Sequence, residues 1–184
     1  MVTNSTEYLA QKFRRRFDLF DANGDGQLEK EDFEATAQAF LDTFDVPEDS
    51  PRGRAVRAAY AGLWNALIHA ADDDRDGRLT PAEFTAYLSS ADFRAHGYDV
   101  TFGRVAEAVI AVCDTSGDGL ISYPEFQRVP GVDRLPEPER RAAFEALDKD
   151  GSGTLDLREL QAAQRQYYTS DDPGAPGNLL FGRI

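Results

Sequence analysis

Apolar residues recur along this chain in short bursts at three-to-four spacing, and each burst predicts one face of an amphipathic helix. Leu9, Phe13, Phe17 and Phe20 form the first stripe, and Phe33, Ala37, Phe40, Leu41 and Phe44 form the second. A wide stripe of Val56, Tyr60, Leu63, Trp64, Leu67 and Ile68 follows, then Phe84, Tyr87 and Leu88. Further along come Phe102, Val105, Val109 and Ile110, then Phe126, Phe144, Leu147, Leu160 and Tyr167. These stripes read as core faces rather than as the lining of a ligand pocket. Pro47, Asp49, Ser50, Pro51 and Gly53 end one helix before a long one begins. The stretch from Ala91 to Asp99, with His96, Gly97 and Tyr98, predicts a sharp turn and so a globule rather than a dumbbell with one continuous central helix.

The polar intervals between the stripes repeat one twelve-residue pattern, at 21–32, 72–83, 114–125 and 148–159. Each has an acid first, oxygen-bearing residues at alternate positions, glycine sixth, an aliphatic residue eighth and an acid last. Calcium is a hard cation that takes six to eight oxygens, so a loop must turn several carboxylates and a backbone carbonyl inward together. The pattern does this, and it is that of the EF-hand calcium loop. The sixth positions, Gly26, Gly77, Gly119 and Gly153, need φ > 0, which glycine reaches without a Cβ penalty. The eighth positions, Leu28, Leu79, Ile121 and Leu155, are expected to pair between neighbouring loops as a short antiparallel ladder.

The second loop offers Asp72, Asp74, Asp76, the Arg78 carbonyl, Thr80 through a water, and Glu83 with both oxygens. The third offers Asp114, Ser116, Asp118, the Leu120 carbonyl, Ser122 and Glu125; with three carboxylates its field is weaker and its binding should lean on its partner loop. The fourth offers Asp148, Asp150, Ser152, the Thr154 carbonyl, Asp156 and Glu159. The first offers Asp21, Asn23, Asp25, the Gln27 carbonyl and Glu29, but closes on Asp32, one methylene shorter than glutamate. Fewer oxygens at shorter range suit magnesium's octahedral shell, so this loop is expected to take calcium or magnesium, with an empty structural loop as the alternative. Three or four calcium ions per chain follow.

The expected fold is all-α, with four helix-loop-helix units in two pairs, packed as a compact globule. The first pair spans residues 1–92, the second 93–168, and a C-terminal tail 169–184. A hydrophobic content of 41% with 12 phenylalanines supplies a core for 184 residues. The net charge of −13 opposes nucleic-acid binding, yet nearly half of the 33 acids sit at coordinating positions. Four calcium ions would bring that charge to about −5, so metal should stabilise a chain that otherwise repels itself. No apolar run reaches membrane-helix length, the start lacks a signal-like apolar region, and Val2 stands where a myristoylation signal needs glycine. A cytoplasmic monomer without membrane attachment is expected. Cys113, the one cysteine, reads as a small core residue, and Arg14, Arg15 and Arg16 read as a solvated basic face. His69 and His96 stand without a nucleophile or carboxylate constellation, and the loop acids are committed to metal, so no enzyme is expected.

The long first linker, the bent middle and the tail after the fourth hand resemble the sarcoplasmic calcium-binding proteins and their bacterial relatives of the calerythrin type. The resemblance covers nearly the whole chain and extends to the Asp-Asp-Pro-Gly-Ala-Pro-Gly-Asn stretch at 171–178. It implies a compact two-lobed globule used to buffer or transport calcium. One or more loops is commonly degenerate in that family, whereas all four here keep plausible ligands. The single methionine, Met1, argues against the adaptable groove of a calcium sensor. Leu179, Leu180 and Phe181 are expected to fold back into a groove where an external helix would sit; a sensor that regulates a protein target is the alternative.

Overall fold

The structure is a computed structural model that describes residues 5–182. The expectation attached to Val2, and the last two residues of the tail, lie outside the described residues. Helix α1 (Ser5–Phe20) leads into the first loop and α2 (Lys30–Thr43) leaves it; α3 (Pro51–Ala71) and α4 (Pro81–Ser89) flank the second. The second half holds α5 (Tyr98–Val100), α6 (Val105–Cys113), strand β1 (Ile121–Ser122), α7 (Tyr123–Phe126), α8 (Glu137–Leu147), strand β2 (Thr154–Leu155) and α9 (Leu157–Thr169).

Local chemistry sets the helix starts. Pro51 opens α3, its fixed φ suiting a first helical residue, and the Ser50 hydroxyl caps it by accepting from the Gly53 amide at 3.0 Å. Thr80 and Asp156, ninth in their loops, cap α4 and α9 by accepting from the amides of Glu83 and Glu159 at 3.3 and 2.8 Å. The loop thus hands its last residues directly to the exit helix. The third hand departs from the symmetric expectation, because its exit helix α7 is a single turn. Pro130 and Gly131, the latter at φ 93°, cannot continue it, and the chain turns until Pro136 caps α8.

The middle of the chain also differs in detail from the predicted bend. After α4 it winds through a π turn, Phe93–Gly97, into α5, and the direction changes at Thr101 (φ −102°, ψ −86°), two residues beyond the expected stretch. The Thr101 hydroxyl closes that corner by donating to the Gly97 carbonyl at 2.7 Å. Gly97 is required by packing: a Cβ there would lie 2.6 Å from the Phe93 ring. Phe93, Tyr98 and Phe102 are thereby driven inward.

One hydrophobic core runs through both pairs of hands. Its spine is aromatic. Phe20 stacks on Phe33 at 4.8 Å, meets Phe84 edge-on at 6.4 Å and reaches Phe102 at 6.4 Å; Phe102 stacks on Tyr168 at 3.8 Å. Among the described residues Val100 is the one large hydrophobic left exposed.

The tail ends in a 3₁₀ helix, Pro176–Phe181, laid against α8 and α9. Phe181 meets Tyr167 edge-on at 4.7 Å, and Leu180 and Asn178 are buried. The basic run overturns its expected solvated face. Only Arg14 is solvated, paired with Asp18 at 2.9 Å. Arg15 donates to the Phe181 carbonyl at 2.6 Å. Arg16 is buried, donates to the Tyr168 hydroxyl at 2.7 Å, and stacks on Phe20 and Phe181 at 3.8 and 4.2 Å. The reason is helical period: Arg16 lies one turn before Phe20, on the edge of the apolar stripe, and a planar guanidinium packs on rings where an ammonium would not. Lys12 is fully buried too, donating to the Ser170 carbonyl at 2.7 Å and Asn178 Oδ1 at 3.1 Å.

Candidate metal centres

All four loops share one scaffold. The first-position carboxylate accepts the sixth-position amide: Asp21 from Gly26 at 2.9 Å, Asp72 from Gly77 at 3.1 Å, Asp114 from Gly119 at 2.7 Å and Asp148 from Gly153 at 2.9 Å. The four glycines have φ of 81–84°, the left-handed turn that a side chain would resist. The twelfth acid braces the loop from both ends, one oxygen on the second-position amide and the other on the ninth. Glu83 does this to Asp73 and Thr80, Glu125 to Thr115 and Ser122, and Glu159 to Lys149 and Asp156, at 2.7–3.2 Å. Asp32 makes the same pair, with Ala22 at 3.1 Å and Glu29 at 2.8 Å, despite its shorter side chain. It is 2% exposed, enclosed by the loop that it braces.

The eighth positions join the loops in pairs. Leu28 and Leu79 exchange two backbone hydrogen bonds at 2.9 and 3.0 Å, and Ile121 faces Leu155 across the β1–β2 ladder. A polar link, invisible in the pattern, supplements the first ladder: Arg78 pairs with Glu29 at 2.9 Å and donates to the Gln27 side chain at 3.0 Å. Glu29, expected as a ligand of the first loop, therefore faces a cation of the second.

Carboxylates converge in two loops. Oxygens of Asp72, Asp74 and Asp76, and of Asp148, Asp150 and Glu159, lie within 4.8 Å of one another. Glu83 does not join its trio and stays on its amide and hydroxyl donors; Asp156 is occupied as the α9 cap. The acids of the first and third loops form no such trio among the described residues. In the third, Ser116 replaces an acid and donates its hydroxyl to Asp114 at 3.0 Å, while Glu125 accepts from the Thr115 and Ser122 amides and hydroxyls. In the first, Asn23 replaces an acid and Asp32 is held back on its two amides.

These hydrogen bonds keep the acids ionised. Burial works against ionisation of Glu125, but the Ser122 and Thr115 donors outweigh it and hold the carboxyl at about 2. Burial likewise opposes ionisation of Asp114, whose donors Gly119, Gly117 and Ser116 leave it below the usual aspartate range. Thr80 lowers Glu83 in the same way. Burial pushes the Cys113 thiol well up, as befits an inert core residue. Arg75 occupies φ 62° at the fourth position of its loop, where the other three carry Gly24, Gly117 and Gly151.

A hard dication fits this donor set. Three carboxylates gathered within 4.8 Å without an ion-paired lysine or arginine among the described residues repel one another, and the donors are all oxygen. Calcium would supply the missing positive charge there.

The EF-hand family model matches residues 13–35, 65–89, 107–130 and 141–163, over half of the chain and all four loops. The chain belongs to the EF-hand family. This EF-hand protein is 28% identical to calerythrin of Saccharopolyspora erythraea over 89% of its own length and 94% of that protein. It is 26% identical to the sarcoplasmic calcium-binding protein beta chain of Penaeus sp., covering 90% and 91%. Its fold superposes with a TM-score of 0.76 on a Streptomyces coelicolor calcium-binding protein, 32% identical over 88% of this chain and 98% of that one. The amphioxus sarcoplasmic calcium-binding protein gives the same TM-score at 23% identity, covering 97% and 98%. The expected resemblance holds, and the fold is the expected helical EF-hand globule with one short β1–β2 ladder. No described helix is long and apolar enough to cross a membrane.

Proposed function

We propose that this EF-hand protein is a cytoplasmic, monomeric calcium buffer or transport protein that holds three or four ions and responds by gaining stability rather than by docking a target. The ligands are those named for the four loops, with loop one open to magnesium through the short Asp32. Residues 1–92 and 93–168 act as two coupled pairs, closed by the tail 169–184.

One observation carries this reading: the chain's own apolar tail packs on α8 and α9. Phe181 and Leu180 sit against α9, with the tail held by Arg15, Arg16 and Lys12. With Val100 the one large hydrophobic left exposed among the described residues, the outer surface suits a protein whose partner is the ion itself. The second reading, a regulator, is favoured by one relative: the S. coelicolor structure is described as the structural basis for prokaryotic calcium-mediated regulation by that protein.

Hydrophobic-dye binding to the metal-free, magnesium-loaded and calcium-loaded protein separates the two. The buffer reading expects dye binding to fall or stay low in calcium while Trp64 fluorescence reports a more rigid core. A calcium-specific rise over the magnesium form would replace it with the regulator.

A further inference from the structure

A cavity of about 230 Å³ lies between α1, α2, α3, α6, α9 and the tail, apart from the loop carboxylate trios. Its wall is largely apolar, with Phe40, Val105, Val109, Ile110, Leu180 and Phe181. Two groups that line it have donors the described residues do not use. Arg16 is 8% exposed, yet pairs with no carboxylate among the described residues; its one hydrogen bond there runs from Nε to Tyr168, leaving the two terminal nitrogens without an acceptor. Tyr60 is 3% exposed, and its hydroxyl has no hydrogen-bond partner among the described residues.

Neither the Arg16 terminal nitrogens nor the Tyr60 hydroxyl is shut off from solvent, since Arg140 Nε is the one fully buried side-chain polar atom without a partner among the described residues; both line the cavity, where a single oxyanion would accept from both. Burial raises the Tyr60 hydroxyl and the nearby Arg16 opposes this, so Tyr60 stays a neutral donor facing the same field. The other polar side chains of the wall are engaged: Gln164 accepts from Tyr98 at 3.1 Å, Thr36 donates to the Asp32 carbonyl at 2.8 Å, and Asp21 is held by its loop amides. Arg134, exposed at the rim, adds positive charge to the entrance. A guanidinium fork matches a carboxylate in shape as well as charge.

We propose that this cavity binds an apolar monocarboxylate of about the size of octanoate, its head group held by Arg16 and Tyr60 and its body among the aliphatic wall residues. The size follows from volume. A dry cavity of about 150 Å³ accepts benzene, so this one takes roughly eight to ten non-hydrogen atoms.

Calorimetric titration of the calcium-loaded full chain with octanoate, and in parallel with 1-octanol, tests the proposal. One saturable octanoate site per chain is expected, with octanol at least about tenfold weaker because it leaves Arg16 unpaired. Arg16→Gln should abolish the preference for octanoate, but it also loosens Tyr168 and Phe181. Tyr60→Phe is the cleaner variant, since it removes a hydroxyl that the free protein does not use. It should leave the melting temperature unchanged and weaken octanoate about tenfold. Absence of saturable octanoate binding, equal affinity for octanol, or an undiminished Tyr60→Phe affinity would each overturn the assignment.

Discussion

Gly177→Ala adds one methyl group at the point where the tail meets α9. A Cβ there would overlap the Ala163 carbonyl oxygen and stand 2.7 Å from Gln166 Cβ and 3.1 Å from the Tyr167 amide nitrogen. Two of those three neighbours are helix backbone and cannot swing away, so the tail must retreat. Overpacking of this kind costs about 1–3 kcal/mol. Retreat also breaks the Gly177 amide bond to Gln166 at 2.9 Å and strains the Lys12 bond to Asn178 at 3.1 Å. Complete undocking would instead forfeit the burial of Leu180, about 1.5–3 kcal/mol, and part of that of Phe181. Partial retreat is the smaller loss, so a melting temperature lower by roughly 2–12 °C is expected for a chain of this length, with dye binding raised in the calcium form. Gly174→Ala is the control, because its nearest neighbour is the flexible Asp172 carboxylate at 3.3 Å. A Gly177→Ala protein that melts with the wild type and binds no more dye would refute the seating of the tail.

Gly62→Ala, exposed on α3 with nothing within 4 Å of the added methyl, should stabilise by about 0.5–1 kcal/mol on helix propensity, and a fall in melting temperature would contradict that account of α3. Asp32→Glu should raise the calcium-to-magnesium affinity ratio of the first loop by roughly tenfold, since a longer acid favours the larger shell; competition calorimetry showing unchanged selectivity would remove the role given to Asp32. Lys12 supplies a pH signature. Burial, opposed by Asp171, lowers its ammonium to about 8 from an ordinary 10.5, so the unfolded chain holds the proton more tightly and native stability rises with pH between those values. Urea unfolding of wild type and Lys12→Met should show the balance moving towards wild type from pH 7.5 to 9.5, and a pH-independent difference would refute it.

The loops and their partners were legible because calcium coordination fixes residue types at fixed offsets within twelve residues, and glycine at the sixth position is imposed by backbone geometry. The eighth-position aliphatics pointed to the Leu28–Leu79 and Ile121–Leu155 pairings for the same local reason. What escaped was non-local. Arg16 reads as a surface charge until Tyr168, 152 positions away, is set beside it. Lys12 meets Asn178 across 166 positions, and Arg78 meets Gln27 across 51. No periodicity encodes such meetings, and the tail contacts turn a basic cluster into a clamp. The one-turn α7 had a local signal in Pro130 and Gly131, which could have been read against a full exit helix. The bracing of Asp32 had none, because hydrogen bonds from the Ala22 and Glu29 amides depend on where the backbone sets the shorter carboxylate, and no residue type reports that distance.

A calorimetric calcium titration of the metal-stripped full chain, with Glu83→Gln and Glu159→Gln alongside, shows whether the four loops hold calcium in coupled pairs. Three or four ions per chain are expected, and each variant should lose its own ion and weaken the loop across its ladder. Two ions or fewer, or variants whose isotherms match the wild type, would contradict this reading of the loops.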